Sequence, residues 1–177
     1  MDIGHAMKCV ATGMPALIIG GQPGPIGISS AIAVIMGGLL LLYRGLVDYR
    51  IPVLAVIAAY VALLVLPIPV VITDTSIQWH WLAFRPQHLG WPVAVTFVNY
   101  EMLASPLLFV IFFLATSPQL HPSSALATAI YAILVGALCA PAQLYGPVDV
   151  APYIALLLAC MITPTLDRLF PHRKAAA

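Results

Sequence analysis

The chain has 177 residues, of which 62% are hydrophobic and only 7% are charged, whereas about a quarter of the residues of a soluble domain are charged. This composition excludes an ordinary soluble domain and indicates a polytopic integral membrane protein whose first partner is the lipid bilayer. The formal net charge of +1 excludes the basic surface that nucleic-acid binding requires.

The first apolar stretch, residues 7–21, is interrupted by glycine and proline and closes on the letters GGQPGPIG. It is too short and too broken for a straight span, so we predict a short or re-entrant helix, which survives at membrane depth only where protein covers it. The following GPIGISS turn is similar to a Gly-rich turn that binds an anion before a helix, although a sharp re-entry into the membrane needs the same residue types. Gly24, Gly27 and Ser29 are therefore candidate cofactor-binding residues.

Five later stretches are long and apolar enough to cross a bilayer, which takes about 20 mostly apolar residues. With residues 7–21 they predict an all-α fold, a polytopic transmembrane helical bundle that forms a single membrane domain over residues 1–177. The predicted spans are residues 26–45, 51–72, 91–116, 125–145 and 152–167.

Small residues recur within these spans and predict places where two helices approach each other closely in lipid. The pair Gly37 and Gly38 is also a candidate contact with a partner subunit. The other small residues of this kind are Ala58, Ala59, Gly136 and Ala140.

Residues 73–90 connect two spans and are rich in tryptophan, with Trp79 and Trp81 inside the segment and Trp91 just beyond it. We predict an interfacial outer segment in which a helix carries an aromatic belt, and the three tryptophans are candidate partner contacts. His80, between two tryptophans, is a candidate axial ligand for a haem or a chlorophyll-type pigment; the alternative is a histidine that sits among lipid headgroups.

The span over residues 91–116 is longer than one crossing requires and has Pro106 in its middle. A kinked span fits this pattern, and so does a half-helix followed by a full span. The same span contains the carboxylate Glu101, which is a candidate ion or proton site because a charge at membrane depth is costly. The alternative is that Glu101 snorkels or pairs with Arg85 or Asn99.

The positions of the cations predict the orientation of the chain. Arg44 and Arg50 flank one tight connection, and Arg168, Arg173 and Lys174 follow the last span. The positive-inside rule places both regions in the cytoplasm, and residues 73–90 outside. We therefore expect a multi-pass protein of a bacterial inner membrane with a cytoplasmic C-terminus.

The sequence lacks the common motifs of enzymes that act without a partner protein. There is no Ser/His/Asp constellation, no carboxylate pair, no HExxH and no nucleotide motif, so no catalytic residue is predicted. The three cysteines, Cys9, Cys139 and Cys160, are isolated in apolar segments without metal-ligand spacing, and no metal site is predicted.

Three stretches in order carry a resemblance to a known family: GPIGISSAIAVIMGGLLLLYRGLVDYRIPV at residues 24–53, FVIFFLATSP at residues 109–118 and VAPYIALLLACMITPTLDRL at residues 150–169. They resemble the RnfD membrane protein of the Rnf electron-transport complex and the related NqrB protein of the sodium-pumping NADH:quinone oxidoreductase. The resemblance implies a flavin-bearing membrane subunit of an ion-pumping redox complex, built from two related halves, of which this chain resembles the second.

The chain departs from the family pattern where the family's chemistry resides. The resemblance implies a covalent flavin on the threonine of an SGAT-type motif, which does not occur in this sequence. The acidic residue of the family's GETS turn is replaced by Ile28, and the aspartate of its ATDP motif by Ser117. We therefore expect no covalently bound cofactor, while contact with a lipid, a quinone or a pigment is left open.

These features predict a shortened, non-catalytic accessory subunit that docks onto other membrane subunits of a respiratory or photosynthetic electron-transport complex. The first alternative is a working subunit of an Rnf-like ion-translocating redox pump, with flavin and ion sites completed by partner chains. The second is a small membrane transporter, because such folds place broken helices around a site at the midplane.

Overall fold

The computed structural model describes residues 18–19, 30–73, 76–81, 90–120, 122, 124–147 and 149–170, and for residues 68–73, 76–81 and 90–93 it describes the backbone alone. The elements in chain order are α1 (Ala31–Tyr43), α2 (Arg50–Val65), β1 (Pro67–Thr73), β2 (Ser76–Trp81), α3 (Gly90–Ala104), α4 (Leu107–Leu114), α5 (Ala125–Tyr145) and α6 (Ala151–Leu169). The last five residues of α4, Val110–Leu114, form a π-helical turn. Except for two helical residues, 18–19, the predicted helix at residues 7–21 and the turn with Gly24, Gly27 and Ser29 lie outside the described residues.

The predicted helical membrane bundle is confirmed in its helical character. By length and composition, α5 and α6 can each cross a membrane, and the bent pair α3–α4 adds a third crossing if the two helices form one span. The helices α1 and α2 are shorter apolar helices of 13 and 16 residues. The number of five spans therefore stays a prediction.

A two-stranded antiparallel hairpin is the departure from the all-α prediction. Pro67 pairs with Trp81 at its open end and Thr73 with Ser76 at its turn. The predicted span over residues 51–72 therefore ends earlier, since α2 stops at Val65, and residues 76–81 are a strand where an interfacial helix was predicted. The sequence of β1, PIPVVIT, explains the difference. Its two prolines interrupt helical hydrogen bonding, and its β-branched residues favour a strand.

The core of the bundle is the pair α2 and α5, which run parallel. Gly136 in the middle of α5 lies against Ala55 and Ala59 of α2, and the Tyr145 hydroxyl at the end of α5 donates to the Pro67 carbonyl just past the end of α2, at 2.8 Å. The absence of a side chain at Gly136 is what allows this approach.

Helix α6 packs antiparallel to α5. The Cys139 thiol donates to the Pro152 carbonyl at 3.7 Å, and the Tyr131 hydroxyl lies 3.8 Å from the Cys160 sulfur, so residue numbers rise on one helix as they fall on the other. Consequently α2 begins, and α6 ends, at the same end of the bundle.

Helix α1 packs on α4 through its two glycines. A Cβ added at Gly37 would lie 2.9 Å from the tip of the Phe113 ring, and one added at Gly38 would overlap the Phe112 ring. The glycine pair thus has a packing role inside this chain, while a partner contact at the same positions stays a prediction.

Candidate functional site

The break between α3 and α4 leaves backbone polar groups without helical hydrogen bonds. Ala94–Ala104 and Leu107–Leu114 are bent by 67° relative to each other, with Ser105 and the fully buried Pro106 between them. Proline has no N–H group and its ring clashes with the carbonyl four residues earlier, so α3 cannot continue through it. The last carbonyls of α3 and the first N–H groups of α4 therefore lack helical partners.

Gln143 of α5 lies at the break and provides hydrogen bonds to some of these groups. Its Nε2 donates to the backbone carbonyl of Glu101 at 2.7 Å and to Glu101 Oε2 at 2.8 Å. Ser105 Oγ donates to Gln143 Oε1 at 2.9 Å and accepts from the N–H of Leu107 at 3.3 Å. We refer to Glu101, Ser105 and Gln143 as the elbow cluster.

The direction of each hydrogen bond in the elbow cluster is fixed by chemistry. A backbone carbonyl only accepts, so the nitrogen of the Gln143 amide must face Glu101 and its oxygen must face Ser105. Because Ser105 Oγ accepts from Leu107, its own hydrogen is available for Gln143 Oε1. The chain of donors therefore runs from α4 through Ser105 and Gln143 to the Glu101 carboxylate.

Burial sets the energetic importance of these bonds. Ser105 and Gln143 are 2% and 1% exposed, and Glu101 is half-buried. A buried polar group without a partner costs about 1–3 kcal/mol, so each bond of the elbow cluster is expected to matter for the stability of this region.

The elbow cluster lies at the hairpin end of the bundle, because Gln143 is two residues before the end of α5. At the opposite end, the Thr163 hydroxyl of α6 donates to the carbonyl of Leu120 at 3.2 Å. Residues 105–120 therefore run between the two ends of the bundle. Both interpretations of residues 91–116, a kinked span and a half-helix followed by a full span, therefore stay open, because the bent pair fits a broken span and a re-entrant loop equally well.

Among the predicted site residues, Glu101 is brought into a built polar cluster. Gln143 and Ser105 were not predicted, although a glutamine within an apolar span is a detectable signal for a buried polar contact. Trp79, His80 and Trp81 lie on β2 and Trp91 lies at the start of α3, with only their backbone described. Their roles in ligation and partner contact stay predictions.

Comparison with known proteins finds one family match and several relatives. A sequence model of the NQR2, RnfD, RnfE family matches residues 3–176. In Halorhodospira halophila, the subunit designated D of the ion-translocating oxidoreductase complex is 28% identical over 154 residues, which are 86% of this chain and 37% of the relative.

Two further relatives, each also designated D in its complex, carry names that specify the ion. The one from the Na(+)-translocating ferredoxin:NAD(+) oxidoreductase complex of Acetobacterium woodii is 28% identical over 156 residues, 88% of this chain and 40% of the relative. The one from the proton-translocating ferredoxin:NAD(+) oxidoreductase complex of Clostridium ljungdahlii is 28% identical over 153 residues, 86% of this chain and 40% of the relative. The chain thus spans about two fifths of the length of these curated relatives.

Proposed function

This chain belongs to the NQR2, RnfD, RnfE family, and on that premise we propose that it is an integral membrane subunit of a bacterial ion-translocating electron-transfer complex, in an accessory role without a covalent flavin. The observation that carries the proposal is the family match over residues 3–176. The relatives named above are subunits of ion-translocating oxidoreductase complexes, and the apolar helices suit a membrane subunit.

The accessory role is supported by the residues that a flavin and a cation would need. Ile28 and Ser117 are neutral where the family pattern has acidic residues. Thr116, the threonine next to the altered ATDP position, is only 3% exposed, and its hydroxyl donates to the Phe112 carbonyl at 2.7 Å. A hydroxyl committed to a buried hydrogen bond is poorly placed to carry a covalent flavin.

Purification of the tagged chain from its native membranes in a mild detergent tests this proposal. We expect it to bring other membrane subunits with it, and intact-mass spectrometry should return the mass of the bare polypeptide. A chain that purifies without partners would contradict the subunit role, whereas an added flavin mononucleotide mass would contradict the accessory role alone.

The surface on which partners dock is proposed to include α1. Helix α1 has large apolar side chains on its exposed face, including Met36, which is 64% exposed, and Leu40, which is 60% exposed. Gly37 and Gly38 are unsuitable test positions, because larger side chains there would strike Phe113 and Phe112 of the same chain.

Photo-crosslinking distinguishes a partner-facing helix from a lipid-facing one. A photoreactive amino acid at Met36 should give an adduct with another membrane subunit in native membranes. The matched position is Met161 of α6, which is 75% exposed and should give lipid adducts only. Protein adducts from Met161 with none from Met36 would reassign the docking surface to α6.

A working role in ion translocation is the second candidate, and the elbow cluster favours it because a carboxylate within a membrane span is a functional residue by default. The two roles differ in the number of ions moved per electron transferred by the reconstituted complex. An unchanged ratio in Glu101→Gln supports the accessory role, whereas a reduced ratio at normal electron-transfer rate supports the working role.

A further inference from the structure

The Glu101 carboxylate is not needed to repair the helix break. Gln143 caps the backbone carbonyl of Glu101, and Ser105 caps the N–H of Leu107. Both of these bonds would form with an uncharged residue at position 101. Glu101 is half-buried, and burying a carboxylate costs free energy that a neutral residue would avoid, so its presence calls for a role other than capping.

The two oxygen atoms of this carboxylate have different surroundings. Oε2 accepts from Gln143 Nε2 at 2.8 Å, whereas no hydrogen bond to Oε1 is found among the residues that the structure describes. Because Gln143 Nε2 is a donor, Oε2 must remain a hydrogen-bond acceptor. No described donor requires Oε1 to be an acceptor. Within the part of the chain that the structure describes, one oxygen is thus held by Gln143 and the other has no hydrogen-bond partner.

We propose that Glu101 is a proton-binding site of this chain, with Gln143 and Ser105 holding the carboxyl group in place in both its protonated and ionised forms. A hydronium ion transfers its proton to a lone pair of Oε1: one O–H bond of hydronium breaks and leaves water, while the new O–H bond of the carboxyl group forms and its negative charge is removed. The bond from Gln143 Nε2 to Oε2 persists, because Oε2 remains an acceptor in a protonated carboxyl group. The site concerns proton binding by this chain and does not depend on the proposed accessory role.

The donor geometry favours a proton over a metal cation. A metal ion would need several oxygen atoms turned towards it, yet Gln143 directs its two N–H bonds at the backbone carbonyl and at Oε2 of Glu101. The Glu101 carbonyl oxygen and Oε2 each already accept one of these N–H bonds, so Oε1 is the one oxygen of Glu101 without a donor among the described residues, and one oxygen is too few for a metal ion. A proton on Oε1 displaces neither of these bonds.

The described elements around the elbow cluster hold few groups that compete for this proton. Helix α4 has no titratable side chain, and Arg50 lies at the opposite end of α2. The titratable groups in the same half of the bundle or at its hairpin end are Tyr60, Tyr100, Cys139, Tyr145, Asp149 and Tyr153. Five of these are phenols or a thiol, and Asp149 is exposed in the connection before α6.

Carbodiimide labelling tests the site on the full chain in lipid nanodiscs. An apolar carbodiimide such as dicyclohexylcarbodiimide reacts with a protonated carboxyl group: the acid proton moves to a carbodiimide nitrogen, the carboxyl oxygen bonds to the central carbon, and an acyl shift to nitrogen leaves a stable N-acylurea. We expect peptide mass spectrometry to find this adduct on Glu101, formed more slowly as the pH rises. Exposed Asp149 serves as the internal comparison, because its carboxyl group is in water.

Several outcomes would overturn the proposal. An unlabelled Glu101 at every pH, while the reagent modifies other carboxyl groups, would mean a carboxylate held ionised, for example by Arg85. Labelling slowed by Na⁺ but not by choline at equal ionic strength would assign a sodium site instead. Because both results come from the unsubstituted chain, neither depends on a variant that folds.

A variant then tests the positioning role of Gln143. Gln143→Leu removes the donor to Oε2, which stabilises the ionised form, so we expect labelling of Glu101 about tenfold faster at the same pH, the factor for one charge-assisted hydrogen bond. Gln119→Leu, at an exposed position after α4, is the matched control and should leave the rate unchanged. A rate that is equal in the two variants would remove Gln143 from the site.

Discussion

Gly136 shows how a single residue determines which helices pair in this bundle. A Cβ at this position would overlap the backbone carbonyl of Ala55 and lie 2.9 Å from the Ala58 side chain. The small residues of α2 and α5 were detectable in the sequence as points of close approach. The pairing of α2 with α5 was not predictable from the sequence. Small residues indicate that another helix can approach closely, but they do not indicate which helix it is.

We predict that Gly136→Val destabilises the bundle by about 1–3 kcal/mol, the usual cost of forcing extra atoms into a packed interface. Unfolding of the purified chain in bicelles, followed by circular dichroism during denaturant titration, measures this change. Ala137→Val is the control, because Ala137 is the neighbouring residue and is exposed. Equal stability of the two variants would contradict the close contact between α2 and α5.

The α3–α4 elbow shows what sequence patterns reveal about an element. Pro106 indicated the break and Glu101 the polar site, since both are exceptional residues within an apolar run. Gln143 was missed because it lies 42 residues further along the chain, and contacts over that distance depend on helix pairing. The hairpin was missed because an apolar run such as PIPVVIT satisfies a hydropathy criterion whether it is a helix or a strand.

We predict that Gln143→Leu also lowers the free energy of unfolding, by about 1–3 kcal/mol, because the carbonyl of Glu101 and the hydroxyl of Ser105 lose their buried partner. The same bicelle titration measures the effect. Gln119→Leu at the exposed position should stay within about 0.5 kcal/mol of the parent, as surface substitutions usually do. If Gln143→Leu leaves the free energy of unfolding unchanged, then water or another side chain replaces the hydrogen bonds of the amide.

The whole molecule has two chemically different ends. Parallel packing of α2 with α5 and antiparallel packing of α5 with α6 place Arg50 and Arg168 at one end and the β-hairpin at the other. The sequence predicted that these cationic regions share a side, and the packing agrees. The assignment of that side to the cytoplasm rests on the positive-inside rule and stays a prediction.

Site-directed cysteine labelling tests the orientation in a background without native cysteines. Asp48→Cys and Leu169→Cys, both at exposed positions, should react with an impermeant maleimide in inverted vesicles but not in intact spheroplasts. Asp149→Cys at the hairpin end should show the reverse pattern. Reaction of the first two positions from opposite faces would overturn the relative placement of α2 and α6.

The parallel pairing of α2 with α5 also has a consequence for the order of events during synthesis. About 60 residues separate the end of α2 from the start of α5, and at about 5–20 residues per second the ribosome needs several seconds to produce them. Until then, the alanine-rich face of α2 has no helix from its own chain to cover it. The residues of the hairpin, α3 and α4 are synthesised before α5. The nascent α2 therefore remains in the bilayer without its partner helix until α5 has been translated.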